Sequence, residues 1–219
     1  MLKAVIFDMD GVLIDSTKYI WESFNQLVKP MNVHFDDAAI KKYMGNSLRD
    51  QISMWKEDYG IDVGDAGEFS VKSHNIALKL MGEKTGLSEG LLPLLNDLKE
   101  RNVPMGVGTS STKARAESML SVAGIDKYFT AVITCEDVTE HKPKPHIFLE
   151  VARRLNTLPE NCVVLEDAAV GIEAAKKGNM KSIGYATDTN SVKELSGAEK
   201  IIRSFKELSY DELKKMFYS

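Results

Sequence analysis

The chain has 219 residues, of which 43% are hydrophobic and 27% charged, with a formal net charge of −4. That is the make-up of an ordinary globular protein, one large domain or two unequal ones, long enough to bury a substantial core. Its negative balance and scattered Lys and Arg residues exclude a broad basic surface for nucleic acid or an anionic membrane.

The first element is the apolar run Ala4-Val5-Ile6-Phe7, which leads directly into Asp8-Met9-Asp10-Gly11. A short, continuous Val/Ile run of this kind predicts a strand buried on both faces. Residues i and i+2 of a strand point the same way, so Asp8 and Asp10 can lean toward one spot beyond its end. Two adjacent carboxylates repel unless a cation or a shared proton relieves them, which points to a divalent metal and a phosphate. The same acids interrupt the N-terminal apolar stretch too early for a signal peptide.

From Ser16 to Lys84 the Val/Ile runs stop. Ser16 is placed to cap a helix running to Lys29, and Pro30 prevents its continuation. Further helices are predicted over 36–43, 47–58 and 68–81, punctuated by Gly45, Gly60, Gly64 and Gly67. Beyond this region strand-like runs at 103–108, 131–135, 162–165 and 182–185 alternate with helical patterns at 91–100, 114–122, 146–155 and 169–177. Ser209-x-x-Glu212 is a capping box for a terminal helix. Alternating strands and helices predict an α/β fold, a Rossmann-like parallel sheet with helices on both faces. The expected core comprises residues 1–15 and 84–219, with an inserted α-helical cap domain over 16–83. Cys135 and Cys162 form no CxxC and fall in strand-like runs, so they read as buried, reduced thiols. No segment approaches the roughly 18 apolar residues of a membrane span, and the cytoplasm is the expected location.

In an open α/β sheet the ligand site lies beyond the carboxyl ends of the strands. Four groups follow strand ends here: Asp8 and Asp10; Thr109-Ser110-Ser111; Lys142; and Glu166-Asp167. Together they make a phosphoryl-transfer site. One carboxylate can attack phosphorus, and a second can protonate the leaving oxygen and then accept a proton from water. A Mg²⁺ held by Asp8 and Asp167 would neutralise the clustered charge. Thr109 and Lys142 would hold the phosphoryl oxygens, aided by backbone N–H groups after Asp8, at Met9 and Asp10. Ser110 or Ser111 is expected to cap the following helix. Gly106-x-Gly108 lacks the third glycine of a dinucleotide loop, and the histidines form no zinc-binding pair.

The segments FDMDGVLIDS, VGTSS, KPKPHIF and VLEDAAVGIEAA, in that order and each at a strand end, resemble the four motifs of the haloacid dehalogenase superfamily. The branch they resemble is that of the β-phosphoglucomutase-like and phosphoglycolate-phosphatase-like enzymes, with a helical cap after the first motif. The resemblance implies Asp8 as nucleophile and Mg²⁺ ligand. It implies Asp10 as general acid/base whose carbonyl oxygen also binds the metal, Thr109 and Lys142 as phosphoryl-binding groups, and Asp167 as a further ligand. Glu166 would be a ligand directly or through water. Ala168 replaces the Ser that many relatives carry after the acidic pair.

The cap gives mixed signals. Mutases of this branch carry a histidine early in the first cap helix, where this chain has Ile20. They carry an Arg in a Gly-x-Ser-Arg loop, whereas Gly45-Asn46-Ser47-Leu48-Arg49 places it one residue late. Lys72 falls where the mutases have a cap lysine. Gly45, Arg49 and Lys72, with Ser110 and Ser111, are therefore candidate substrate-binding residues. The reading is a Mg²⁺-dependent phosphatase acting on a small phosphomonoester, of the sugar phosphate or phosphoglycolate class, as a monomer. The alternatives are a β-phosphoglucomutase and, more distantly, a phospho-accepting receiver module.

Overall fold

The structure is a computed structural model describing residues 1–81, 86–187, 190 and 192–217, with only the backbone of Met81. The expected α/β sheet is present. Among the described residues it has six strands, β1 (Ala4–Phe7), β2 (Met105–Gly108), β3 (Ala131–Ile133), β4 (Cys162–Glu166), β5 (Lys181–Tyr185) and β6 (Lys200–Ile202). Their order is β3-β2-β1-β4-β5-β6, and every neighbouring pair is parallel. β1 lies between β2 and β4, with Ile6 opposite both Gly106 and Val164. Chain order therefore brings the ends of β1, β2 and β4 side by side.

The alternation along β1 shows why its side chains had to be continuously apolar. Val5 and Phe7 pack on one face against Leu94, Leu95 and Leu98 of α5 (Leu91–Glu100). Ala4 and Ile6 pack on the other face with Phe148 and Val151 of α7 (His146–Arg154) and Ala174 of α8 (Ala169–Lys177). Helix α6 (Lys113–Val122) joins the first face through Ala116, Met119 and Leu120.

Helices α1 (Thr17–Val28), α2 (Asp37–Tyr43), α3 (Leu48–Tyr59) and α4 (Ala66–Met81) follow β1. They carry their own aromatic core, in which Trp21, Phe24, Phe35, Tyr43, Trp55 and Phe69 pack together, largely edge to face. The expected return from this insert to the sheet, at 83/84, lies outside the described residues.

Several local expectations change. Ser16 precedes α1 but makes no capping bond; its hydroxyl donates to Asp10 Oδ1 instead. Neither Ser110 nor Ser111 caps α6, whose N-cap position is Thr112. Gly67 lies inside the first turn of α4 rather than before it. Cys135 leaves the strand for a 3₁₀ turn over Cys135–Asp137, capped reciprocally by Thr134 and Asp137, and is only half-buried. Val103 and Pro104 precede β2. Only half of the terminal capping box forms: Ser209 accepts the Glu212 N–H at the start of α9 (Tyr210–Lys215), while the Glu212 carboxylate pairs with Lys200 and Lys215. β6 was not foreseen, its apolar content being only two adjacent isoleucines. Among the described residues no helix is long and apolar enough to cross a membrane.

Candidate active site

The carboxyl ends of the strands deliver the predicted groups to one place. Asp8 follows β1, Thr109 follows β2, and Glu166 ends β4 with Asp167 next to it. Lys142 reaches the same point from the loop before α7 and is buried. Its ammonium donates to Asp8 Oδ1 at 2.5 Å and to Glu166 Oε1 at 2.7 Å. Burial works against the Lys142 charge, but Asp8 and Glu166 outweigh it and raise its pKa. Asp8 is pushed to about 7, chiefly by burial, against the pull of Lys142 and with Glu166 adding to the rise. Asp167 is driven well above the ordinary carboxylate value, again first by burial and then by Glu166 and Asp8.

Glu166 was expected to bind the metal directly or through water. Its Oε1 accepts from Lys142, and its Oε2 accepts the Ala168 N–H at 2.7 Å. Each oxygen has one partner within the protein, and through Oε1 Glu166 braces Lys142.

Asp167 is different. Its Oδ2 is buried without a hydrogen-bond partner. A lone buried carboxylate oxygen needs a donor or a cation. Three carboxylates meet one ammonium here, and the shortfall is what a divalent cation would supply. Among the described residues no three His, Cys, Asp or Glu side chains converge as a ready metal cage. The oxygen donors that Asp8 and Asp167 would offer are of the kind Mg²⁺ takes, one or two carboxylates with water and substrate oxygens.

Asp10, two residues on, is held by another set of partners. Its Oδ1 accepts from Ser16 Oγ at 2.5 Å and Arg115 Nη2 at 2.7 Å, and its Oδ2 accepts from Ser111 Oγ at 2.7 Å. Burial raises the Asp10 pKa, but Arg115 and the two hydroxyls outweigh it and hold it below the ordinary value of 3.8. Thr109 Oγ1 accepts the Ser111 N–H at 3.1 Å, which fixes the start of the loop. The side chain of Met9 is wholly buried in the core, so only its backbone can face a ligand.

These groups line a cavity of about 640 Å³ between the sheet and the helical insert, within the usual range of roughly 300–1,000 Å³ for small-molecule sites. The insert contributes Ile20, Trp21, Phe24, Leu48, Arg49 and Gln51 to its wall. Gly45 seats the insert on the sheet, with Ser110 Oγ donating to its carbonyl at 3.1 Å. Its φ is +84°, and a Cβ there would lie 2.3 Å from Val170 Cγ2, so the position requires glycine. Lys72 is not brought to the cavity: it is exposed on α4 and pairs with Glu68 one turn away at 3.3 Å. Arg115 was not foreseen. A cation in the first turn of a helix opposes the helix dipole, and an unseen acid nearby is the natural explanation.

The chain is similar to known proteins over most of its length. A phosphorylated carbohydrates phosphatase of Thermotoga maritima is 29% identical over 206 residues, covering 92% of this chain and 94% of that protein. A fructose-1-phosphate phosphatase of Escherichia coli K12 is 30% identical, covering 82% of this chain and 94% of that protein. The solved structure of a β-phosphoglucomutase from Clostridium difficile matches with a TM-score of 0.85 at 25% identity, over 100% of this chain and 98% of that one. Residues 5–185 match the sequence pattern of the haloacid dehalogenase-like hydrolases, and the chain belongs to that family.

Proposed function

We propose that this enzyme hydrolyses a small phosphomonoester, of the sugar phosphate or phosphoglycolate class, through an aspartyl-phosphate. The observation that carries the reading is the buried Asp8–Lys142–Glu166 chain beside the unpartnered Asp167 Oδ2, opening onto the cavity between the sheet and the insert. Asp8 Oδ attacks phosphorus and the ester P–O bond breaks. Asp10, ionised in the free site, takes up a proton with the substrate and passes it to the leaving oxygen, so an alcohol departs. Asp10 then takes a proton from water as that water attacks the phosphorus of the acyl phosphate, which releases inorganic phosphate and restores Asp8. Lys142 and Thr109 hold the phosphoryl oxygens, aided by the N–H groups of Met9 and Asp10. A Mg²⁺ held by Asp8, Asp167 and the Asp10 carbonyl would supply charge neutralisation between the acids and the phosphate.

The cap, residues 16–83, would admit the substrate and exclude bulk water. The names of the relatives support a phosphorylated carbohydrate as substrate, and a free metabolite needs no partner protein, nucleic acid or membrane. A screen for phosphate release over sugar phosphates and phosphoglycolate, with Mg²⁺ present, tests the reading. Turnover of one or more substrates that Asp8→Asn abolishes is expected, with the fold of the variant intact. Substantial turnover by Asp8→Asn, or release from none of the substrates, would overturn it.

A further inference from the structure

The Asp10 carboxylate is held from three directions. Ser16 lies at the entry to the cap, Ser111 follows β2, and Arg115 stands on the first turn of α6. Arg115 is the hub. Besides Asp10 it donates to Ser111 Oγ at 3.1 Å, and its Nη1 lies 3.4 Å from His74 Nδ1 on cap helix α4. His74 Nε2 in turn lies 3.3 Å from Ser118 Oγ, one turn along α6. A guanidinium only donates, so Nδ1 of His74 must accept and its Nε2 carries the proton. The imidazole is thus a cap group docked between two positions of a core helix, with Arg115 between it and Asp10.

An ionised carboxylate offers about four acceptor sites. Ser16 and Arg115 occupy both on Oδ1, and Ser111 takes one on Oδ2. One site on Oδ2 remains open. Arg115 never gives up its own proton, so it is not itself an acid in the reaction. We infer that Arg115 is a positioning residue that fixes Asp10 so that Oδ2 carries the transferred proton, and that His74 makes this arrangement depend on the cap being seated. This rests on the proposed acid/base role of Asp10, and nothing in the four motifs calls for either residue.

The test compares phosphate esters with poor and good leaving groups under single-turnover conditions. An alkyl leaving group needs the proton from Asp10, whereas p-nitrophenolate leaves without it. Arg115→Gln is expected to slow phosphoenzyme formation from an alkyl phosphate by about 10- to 100-fold, the lower part of what general acid catalysis contributes. The burst of p-nitrophenol from p-nitrophenyl phosphate should stay within about twofold of the parent enzyme. His74→Ala should show the same selectivity with a smaller loss, and added guanidinium should restore part of the alkyl rate to Arg115→Gln. Equal losses on both substrates would mark Arg115 as merely structural, and an unchanged alkyl rate would mark it as idle; either overturns the inference. If Arg115→Gln fails to fold, His74→Ala and Arg115→Lys are read by the same two bursts. Failure of the parent enzyme to form any phosphoenzyme would instead overturn the functional reading itself.

Discussion

Gly171 on α8 leaves the space that the Glu166 carboxylate fills: a Cβ at position 171 would lie 1.8 Å from Glu166 Oε1. A glycine inside a helix otherwise weakens it by roughly 0.5–1 kcal/mol relative to alanine. Its presence here follows from the brace, since Glu166 must reach back to both Lys142 and the Ala168 N–H. Gly171→Ala is therefore expected to destabilise the protein despite the better helix former. Overpacking of this kind amounts to about 1–3 kcal/mol, or a fall in Tm of about 2–12 °C for a chain of this size. Turnover should fall as well, because Lys142 loses its second anchor. Thermal unfolding reads the first effect and phosphate release the second; a raised Tm would show that propensity outweighs the brace.

Gly45 makes the corresponding contact between cap and core. A Cβ there would meet Val170 Cγ2 at 2.3 Å and Ala168 Cβ at 2.8 Å, and the backbone is left-handed. An alanine in that conformation costs about 1–2 kcal/mol. The aromatic core of the cap lies elsewhere, so the strain falls on the seat. Gly45→Ala should lower kcat/KM by about tenfold, the equivalent of about 1.4 kcal/mol, and lower Tm by about 2–8 °C. A KM and kcat equal to those of the parent enzyme would show that the seat does not limit turnover.

How far the site could be read beforehand depended on where each group stands. β1 and β4 are continuous apolar runs that end in acids, so Asp8 and Asp167 declare themselves by breaking the pattern. Thr109 and Lys142 follow strand ends and fall inside ordered motifs. Arg115 lies in the polar stretch from Thr112 to Ser118, which has no strong periodicity, and its partner Asp10 is 105 residues away. Only the pairing of β2 beside β1, which sets the start of α6 next to the end of β1, brings the two together. The role of Glu166 was hidden for a related reason. An acid beside Asp167 suggests a second ligand, and nothing in one dimension shows that it also accepts from Lys142 and a backbone N–H. Lys72 erred in the other direction: its spacing matched, but its side of α4 faces solvent.

The buried acids give the metal-free protein a definite pH dependence. Asp8 is raised to about 7 from 3.8, and Asp167 is raised well above 3.8, both chiefly by burial. The folded chain thus binds these protons more tightly than the unfolded chain. The stabilising contribution of Asp8 is full below about pH 3.8 and is lost as pH rises toward and through about 7, and that of Asp167 is lost in the same direction. Asp10 is depressed, so its contribution is lost only on acidification below 3.8 and does not enter this window. A divalent cation binds the ionised acids and opposes the loss. Mg²⁺ should therefore raise Tm more at pH 8 than at pH 5. Asp167→Asn should raise the metal-free Tm at pH 8 and reduce the Mg²⁺ shift. A Mg²⁺ shift equal at both pH values, or unchanged in the variant, would remove Asp167 from the metal site.

On the proposed mechanism, hydrolysis and phosphomutase chemistry would share the attack by Asp8 and diverge afterwards. A mutase must pass the phosphoryl group to a second hydroxyl of a sugar that already carries a phosphate, so its cap has to hold that second phosphate while excluding water. Among the described residues, the cap's charged contribution to the cavity wall is Arg49 alone. Lys72 points away into an ion pair with Glu68, and Ile20 lines the cavity where the mutases it resembles carry a histidine. A single exposed cation holds a phosphate dianion weakly, because solvent screens it. Water is then the favoured acceptor from the aspartyl-phosphate. Glucose 1-phosphate supplied with its 1,6-bisphosphate should give inorganic phosphate and little glucose 6-phosphate, read by a coupled dehydrogenase assay beside a phosphate assay. Isomerisation faster than phosphate release would show that Arg49 and the polar side chains of the cap suffice to hold the second phosphate, and would make the enzyme a mutase.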